Sequence, residues 1–138
     1  MRSPRHRPNA LDGEAESALH GAAWVGDLAL VRSLVESGAN VNFIDSAGES
    51  PLHGAAANGH ASVVQFLLQC GAAVDLPGTT GLTPLHWAAG WGNLETVKVL
   101  VSSGASVAAS NDFGQTPIQV ASTHGSFEIA DFLRSHGA

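Results

Sequence analysis

The sequence predicts an all-α solenoid of four stacked helix–turn–helix units, and three features of its 138 residues carry that prediction. Two glycine series recur at intervals of 33, Gly26, Gly59, Gly92 and Gly125 in one and Gly38, Gly71, Gly104 and Gly137 in the other. Apolar positions keep the same interval, with Leu19, Leu52, Leu85 and Ile118 in one row and Ala22, Ala55, Ala88 and Ala121 in another. Pro51, Pro84 and Pro117 repeat in the last three units, and no insertion breaks the register. A period of this length marks an architecture in which each unit buries its apolar face on its neighbour, because helices so short are marginal alone.

Within a unit the elements follow in a fixed order. The first helix opens at a hydroxyl residue, Ser17, Ser50, Thr83 or Thr116, whose oxygen can accept from the free N–H groups of a first turn. Proline comes next in three units, where its missing N–H and fixed φ do no harm. The helix closes near Gly26, Gly59, Gly92 and Gly125, since glycine accepts the left-handed conformation that ends a helix. A second N-cap is expected at Asp27, Asn93 and Ser126, with His60 in that slot of the second unit. The second helix is an apolar run such as Val63, Val64, Phe66, Leu67 and Leu68, and it stops at the other glycine series. A loop of about a dozen residues leads into the next unit.

These signals divide the chain into a tail over residues 1–9 and a repeat domain over residues 10–138, with units near 12–44, 45–77, 78–110 and 111–138. The tail holds Pro4, Pro8 and three arginines with no aliphatic residue after Met1, so it is expected to be disordered and solvated, with a nuclear or anionic-partner signal as the alternative. The first unit has Ala15 where later units have Gly48, Gly81 and Gly114, as befits a capping unit with one bare side. The chain ends directly after the closing glycine of the fourth unit, and the domain is therefore expected to be complete.

Here the residues carry a family resemblance covering about 120 positions. The segments Ser50-Pro51-Leu52-His53-Gly54-Ala55-Ala56 and Thr83-Pro84-Leu85-His86-Trp87-Ala88-Ala89 resemble the T-P-L-H-x-A-A motif of ankyrin repeats. The outer units carry looser copies, Ser17 to Ala23 and Thr116 to Ser122, the last with Gln119 in place of histidine. The resemblance implies an ankyrin-repeat solenoid that binds proteins, acting as an intracellular adaptor or inhibitor. A substrate-recognition or targeting module of a larger complex, such as a ubiquitin ligase, is the alternative.

Composition narrows the function classes further. The 44% apolar content suffices for a core, yet no run reaches the roughly 18 to 20 apolar residues of a membrane span. No secretory signal opens the chain, and the lone Cys70 excludes an internal disulfide, so cytoplasm or nucleus is the expected location. Beyond residue 9 three cations face twelve carboxylates, a net charge of −9 that repels nucleic-acid phosphates. A monomer with a protein partner, no nucleic acid, no membrane and no cofactor is expected.

Catalysis and metal binding find no assembled constellation in the pattern. Successive copies of His20, His53 and His86 sit on neighbouring units, about 10 Å apart by helix-packing distances, too far to share one zinc ion. The resemblance implies that they tie each helix start to neighbouring loops. Cys70 has no positioned base and reads as inert, and the glycines recur singly rather than as a phosphate-cradling cluster.

The period explains the repeated residues, so the functional candidates are those that differ between units. In the family, first-helix ends and loop tips form the binding face, which here implies Trp24, Val25, Glu49, Asn58, Leu82, Trp91, Asp112, Phe113 and His124. Aromatic residues dominate interface hot spots, so Trp24, Leu82, Trp91 and Phe113 head that set, with Glu14, Glu16, Glu49 and Asp112 as an acidic rim. Core packing is the alternative for the tryptophans, and it is the preferred reading for Trp87. Phe43 and Ile44 are expected to seal the junction of the first two units. Asn42, with Leu34 eight residues before it, resembles ankyrin loops modified by asparaginyl hydroxylases.

Overall fold

The computed structural model describes residues 8–138, with side chains from Glu14 onward. Residues 1–7 of the expected tail lie outside the described residues, and Pro8 and Asn9 open the first helix. The described residues form eight α-helices and no strand. They run in pairs: α1 (Pro8–Val25) with α2 (Leu28–Glu36), α3 (Pro51–Ala57) with α4 (Ala61–Gln69), α5 (Pro84–Gly90) with α6 (Leu94–Ser102), and α7 (Pro117–Thr123) with α8 (Phe127–Ser135). First helices stack on first helices from α1 to α7, and second helices on second helices from α2 to α8.

The core lies between these two layers and repeats with the sequence. Leu19, Leu52 and Leu85 face it from the first helices, and Val31, Val64 and Val97 with Leu67, Leu100 and Leu133 face it from the second; all are essentially inaccessible to water. Burying a leucine or valine side chain contributes about 1.5–3 kcal/mol, which offsets the nucleation cost that seven- and nine-residue helices cannot meet alone.

Polar groups repeat too. In the second unit the Ser50 N–H donates to His53 Nδ1 at 3.1 Å, so that nitrogen is an acceptor and Nε2 is the donor, reaching the Leu82 carbonyl at 3.0 Å. His86 repeats the arrangement with Thr83 N–H at 3.1 Å and the Gln115 carbonyl at 2.9 Å. Both rings are buried, and burial holds both imidazoles below their ordinary pKa of 6.5, against neighbouring carbonyls that favour the cation. Gln119 keeps only the local half of the pattern, its Oε1 accepting from Thr116 N–H at 3.0 Å.

Two local expectations fail for physical reasons. Ser17 does not start a helix, because α1 runs through it from Pro8. The first unit has neither the left-handed glycine found at Gly48, Gly81 and Gly114 nor the proline that follows the cap elsewhere, and Ala15, Glu16 and Ala18 favour helix. In consequence His20 Nδ1 meets the Glu16 carbonyl one turn back at 2.7 Å, while Nε2 still reaches the next unit at the Glu49 carbonyl, 2.7 Å away. Glu16 is 3% exposed, and its Oε2 accepts from Asn40 N–H at 2.6 Å, so it belongs to the interior rather than to a rim.

The second N-cap series also splits. Asp27 caps its own helix, accepting from Leu30 N–H at 3.1 Å, but the side chains of His60, Asn93 and Ser126 make no such bond. His60 Nε2 reaches the Trp24 carbonyl at 2.9 Å, and Asn93 donates to the Ala57 carbonyl at 3.0 Å. The carbonyls at the end of a first helix lack intrahelical donors, and an imidazole or amide can supply them from the adjoining unit where a carboxylate cannot.

Candidate functional site

The three inter-unit loops end in tight turns, and the turns are tied to one another. Thr79 N–H donates to the Gly48 carbonyl at 2.8 Å and its hydroxyl to the Ala47 carbonyl at 2.7 Å. Asp112 N–H then reaches the Thr80 carbonyl at 2.9 Å. The first and third turns are closed by Asp45 and Asn111, whose side-chain oxygens accept from two backbone N–H groups each. Gly78 holds that position in the second turn. A Cβ there would lie 2.6 Å from the Gly48 carbonyl oxygen and 2.9 Å from His53 Nε2, so only glycine permits this approach. Thr80 in the same turn adopts φ +52°, a left-handed backbone that β-branched residues avoid.

Beside these tips the candidate residues fall into two groups. Trp24 and Val25 end α1 with half or more of their surfaces exposed, and the Trp24 ring lies over Gly54, where a Cβ would be 3.3 Å from its Cε3. Asn58 is exposed, yet its amide donates to the Trp24 carbonyl at 2.8 Å and so also serves the junction. The second group surrounds a hollow of about 350 Å³ between α5 and α7, whose walls include Leu82, Trp91, Phe113 and His124. Trp91 is 67% exposed and Phe113 74% exposed on its lips. His124 leans on its own helix, Nδ1 at 2.9 Å from the Val120 carbonyl. Asp112, exposed on the turn between Asn111 and Phe113, stands at the edge.

The walls also include residues outside that candidate set. Trp87, read from sequence as a packing residue, is half-buried and lines the hollow together with Gly90 and Val120. Its indole N–H is shielded from solvent and has no acceptor. The signal that could have found the hollow is Gly90, the residue without a side chain in the row Trp24, Ala57, Gly90 and Thr123.

Charge separates the two layers. Among the described residues Arg32, Lys98 and Arg134 are the cations, all on second helices and all engaged. Arg32 sits 4.8 Å from the centre of the Phe66 ring, Lys98 6.0 Å from that of Phe132, and Arg134 pairs with Asp131 at 2.7 Å. First helices and loops carry no lysine or arginine among the described residues, but they carry Glu14, Asp45, Glu49 and Asp112. Glu49 is half-buried and its carboxyl is held above the usual range, first by burial and then by the Asp45 charge, with His20 working the other way.

The remaining residues of interest serve the stack. Asn42 accepts from Ala73 N–H at 2.8 Å and donates to the Gly71 carbonyl at 3.1 Å, joining the loops of the first two units as Asp75 joins the next pair through Ser106 N–H. Phe43 meets the His20 ring edge-on at 6.2 Å while staying partly exposed. Cys70 is exposed at the end of α4. No helix among the described residues is long and apolar enough to cross a membrane. The family model for ankyrin repeats (3 copies) matches residues 19–111 and 75–138. No curated protein matches the chain.

Proposed function

The chain belongs to the ankyrin-repeat family, whose members are generally protein-binding and typically non-catalytic, and on that premise we propose that it acts by occupying a partner protein's surface with its first-helix and loop-tip face. The observation that carries this reading is the pair Trp91 and Phe113, large apolar side chains both exposed and both lining one hollow. Nothing in the stack requires their exposure, and exposed apolar clusters of this kind mark interaction sites. Trp24 and Val25 extend the same face toward the first unit. The role is that of an adaptor or inhibitor in the cytoplasm or nucleus, working as a monomer. Photo-crosslinking tests it: a photoreactive phenylalanine analogue at Phe113 captures a protein from cell extract, whereas one at Phe66 on α4 does not. The captured band fades when Trp91→Ala is added, with the melting temperature nearly unchanged. Equal capture from both positions, or capture indifferent to Trp91→Ala, overturns the assignment.

A further inference from the structure

We propose that the hollow between α5 and α7 receives one large apolar side chain of an extended partner segment that carries lysine or arginine beside it. The proposal rests on the binding face named above and specifies what that face recognises. The hollow exists because Gly90 leaves the end of α5 bare where Trp24, Ala57 and Thr123 stand on the other first helices. A Cβ at Gly90 would already approach Val120 Cγ1 at 3.1 Å, so any larger side chain there enters the space that Trp91, Phe113 and Val120 line.

The walls then define the occupant. Leu82, Trp87, Trp91, Phe113 and Val120 offer apolar surface, within the roughly 300–1,000 Å³ typical of ligand pockets. The charge of the occupant follows from the layer separation. Every cation of the described residues lies on a second helix, whereas Asp112 stands beside the hollow and Glu49 and Asp45 stand farther along the same row of tips. A basic flank is attracted and an acidic one repelled, and nucleic acid is disfavoured by the same field.

The test selects a randomised dodecapeptide phage library on the full chain and measures the enriched sequences as synthetic peptides by calorimetry. The expected peptides share one leucine, isoleucine, phenylalanine or tryptophan next to lysine or arginine. Their affinity falls by about tenfold or more in Gly90→Leu, which fills the hollow, and in Phe113→Ala, which keeps the fold should the leucine disturb it. Affinity also drops as salt is raised. Acidic consensus peptides, a library that yields no binder, or peptides indifferent to both variants overturn the proposal. If such indifferent peptides are instead lost on Trp24→Ala, the binding face stands and the hollow is not its subsite.

Discussion

Replacing His86 with glutamine isolates one rung of the histidine ladder, and unit four already shows what the replacement does. There Gln119 Oε1 accepts from Thr116 N–H, so glutamine at residue 86 keeps the local contact with Thr83 N–H. What disappears is the 2.9 Å bond from Nε2 to the Gln115 carbonyl in the next unit. That carbonyl still accepts from Asn111 N–H at 2.9 Å, so it is not orphaned, and the loss lies at the lower, net value of a hydrogen bond, about 0.5–1.5 kcal/mol. With a urea slope of about 2 kcal/mol/M, the midpoint falls by roughly 0.5 M.

The same variant changes the pH dependence. Burial lowers the His86 pKa in the folded chain, while the unfolded chain titrates near 6.5. As pH drops below 6.5 the unfolded state takes up the proton first, so stability is full above that value and declines toward the lowered folded pKa. Urea titrations between roughly pH 7.5 and 5.5, followed by tryptophan fluorescence, should therefore show a shallower acid loss for His86→Gln, and shallower again with His53→Gln added. Equal midpoints for variant and wild type at neutral pH, or identical losses on acidification, would refute the ladder as described.

Three further outcomes are expected. Thr80→Asn should raise stability by about 1 kcal/mol in urea denaturation, because asparagine tolerates the φ of +52° that a β-branched residue resists. Gly78→Ala should lower stability by about 1–3 kcal/mol, since its Cβ would meet the Gly48 carbonyl at 2.6 Å and backbone must move. Glu49→Gln should act in opposite directions on folding and binding. The carboxyl's raised pKa means its charge is disfavoured by the fold, a penalty absent at low pH and complete above the raised value. The variant should thus melt higher than wild type at neutral pH, converge with it in acid by calorimetry, and bind basic peptides more weakly.

The period of 33 residues was enough to read the helix pairs, the leucine and alanine rows of the core and the glycines that close each helix, because those features depend on spacing that a linear chain displays directly. Capping was legible where its partners are local, as at Ser50 and Thr83, and illegible where they are not. Asn93 looks like an N-cap in sequence, yet the choice between capping a helix and serving the neighbour's carbonyls depends on what the adjoining unit brings within reach. Ser17 failed for a related reason, since nothing upstream interrupts the helix that passes through it.

The candidate face divides along the same line. The sequence by itself determined which residues escape the repeat, with Trp24, Trp91 and Phe113 among them. Only the tertiary structure decided that Trp91 and Phe113 line one hollow while Trp24 lies apart on Gly54, that Glu16 is interior, and that Trp87 joins the hollow's wall. A hollow is a property of two stacked helices: the missing side chain at Gly90 makes one only because Val120 of the next unit stands opposite, and no local pattern records that distance.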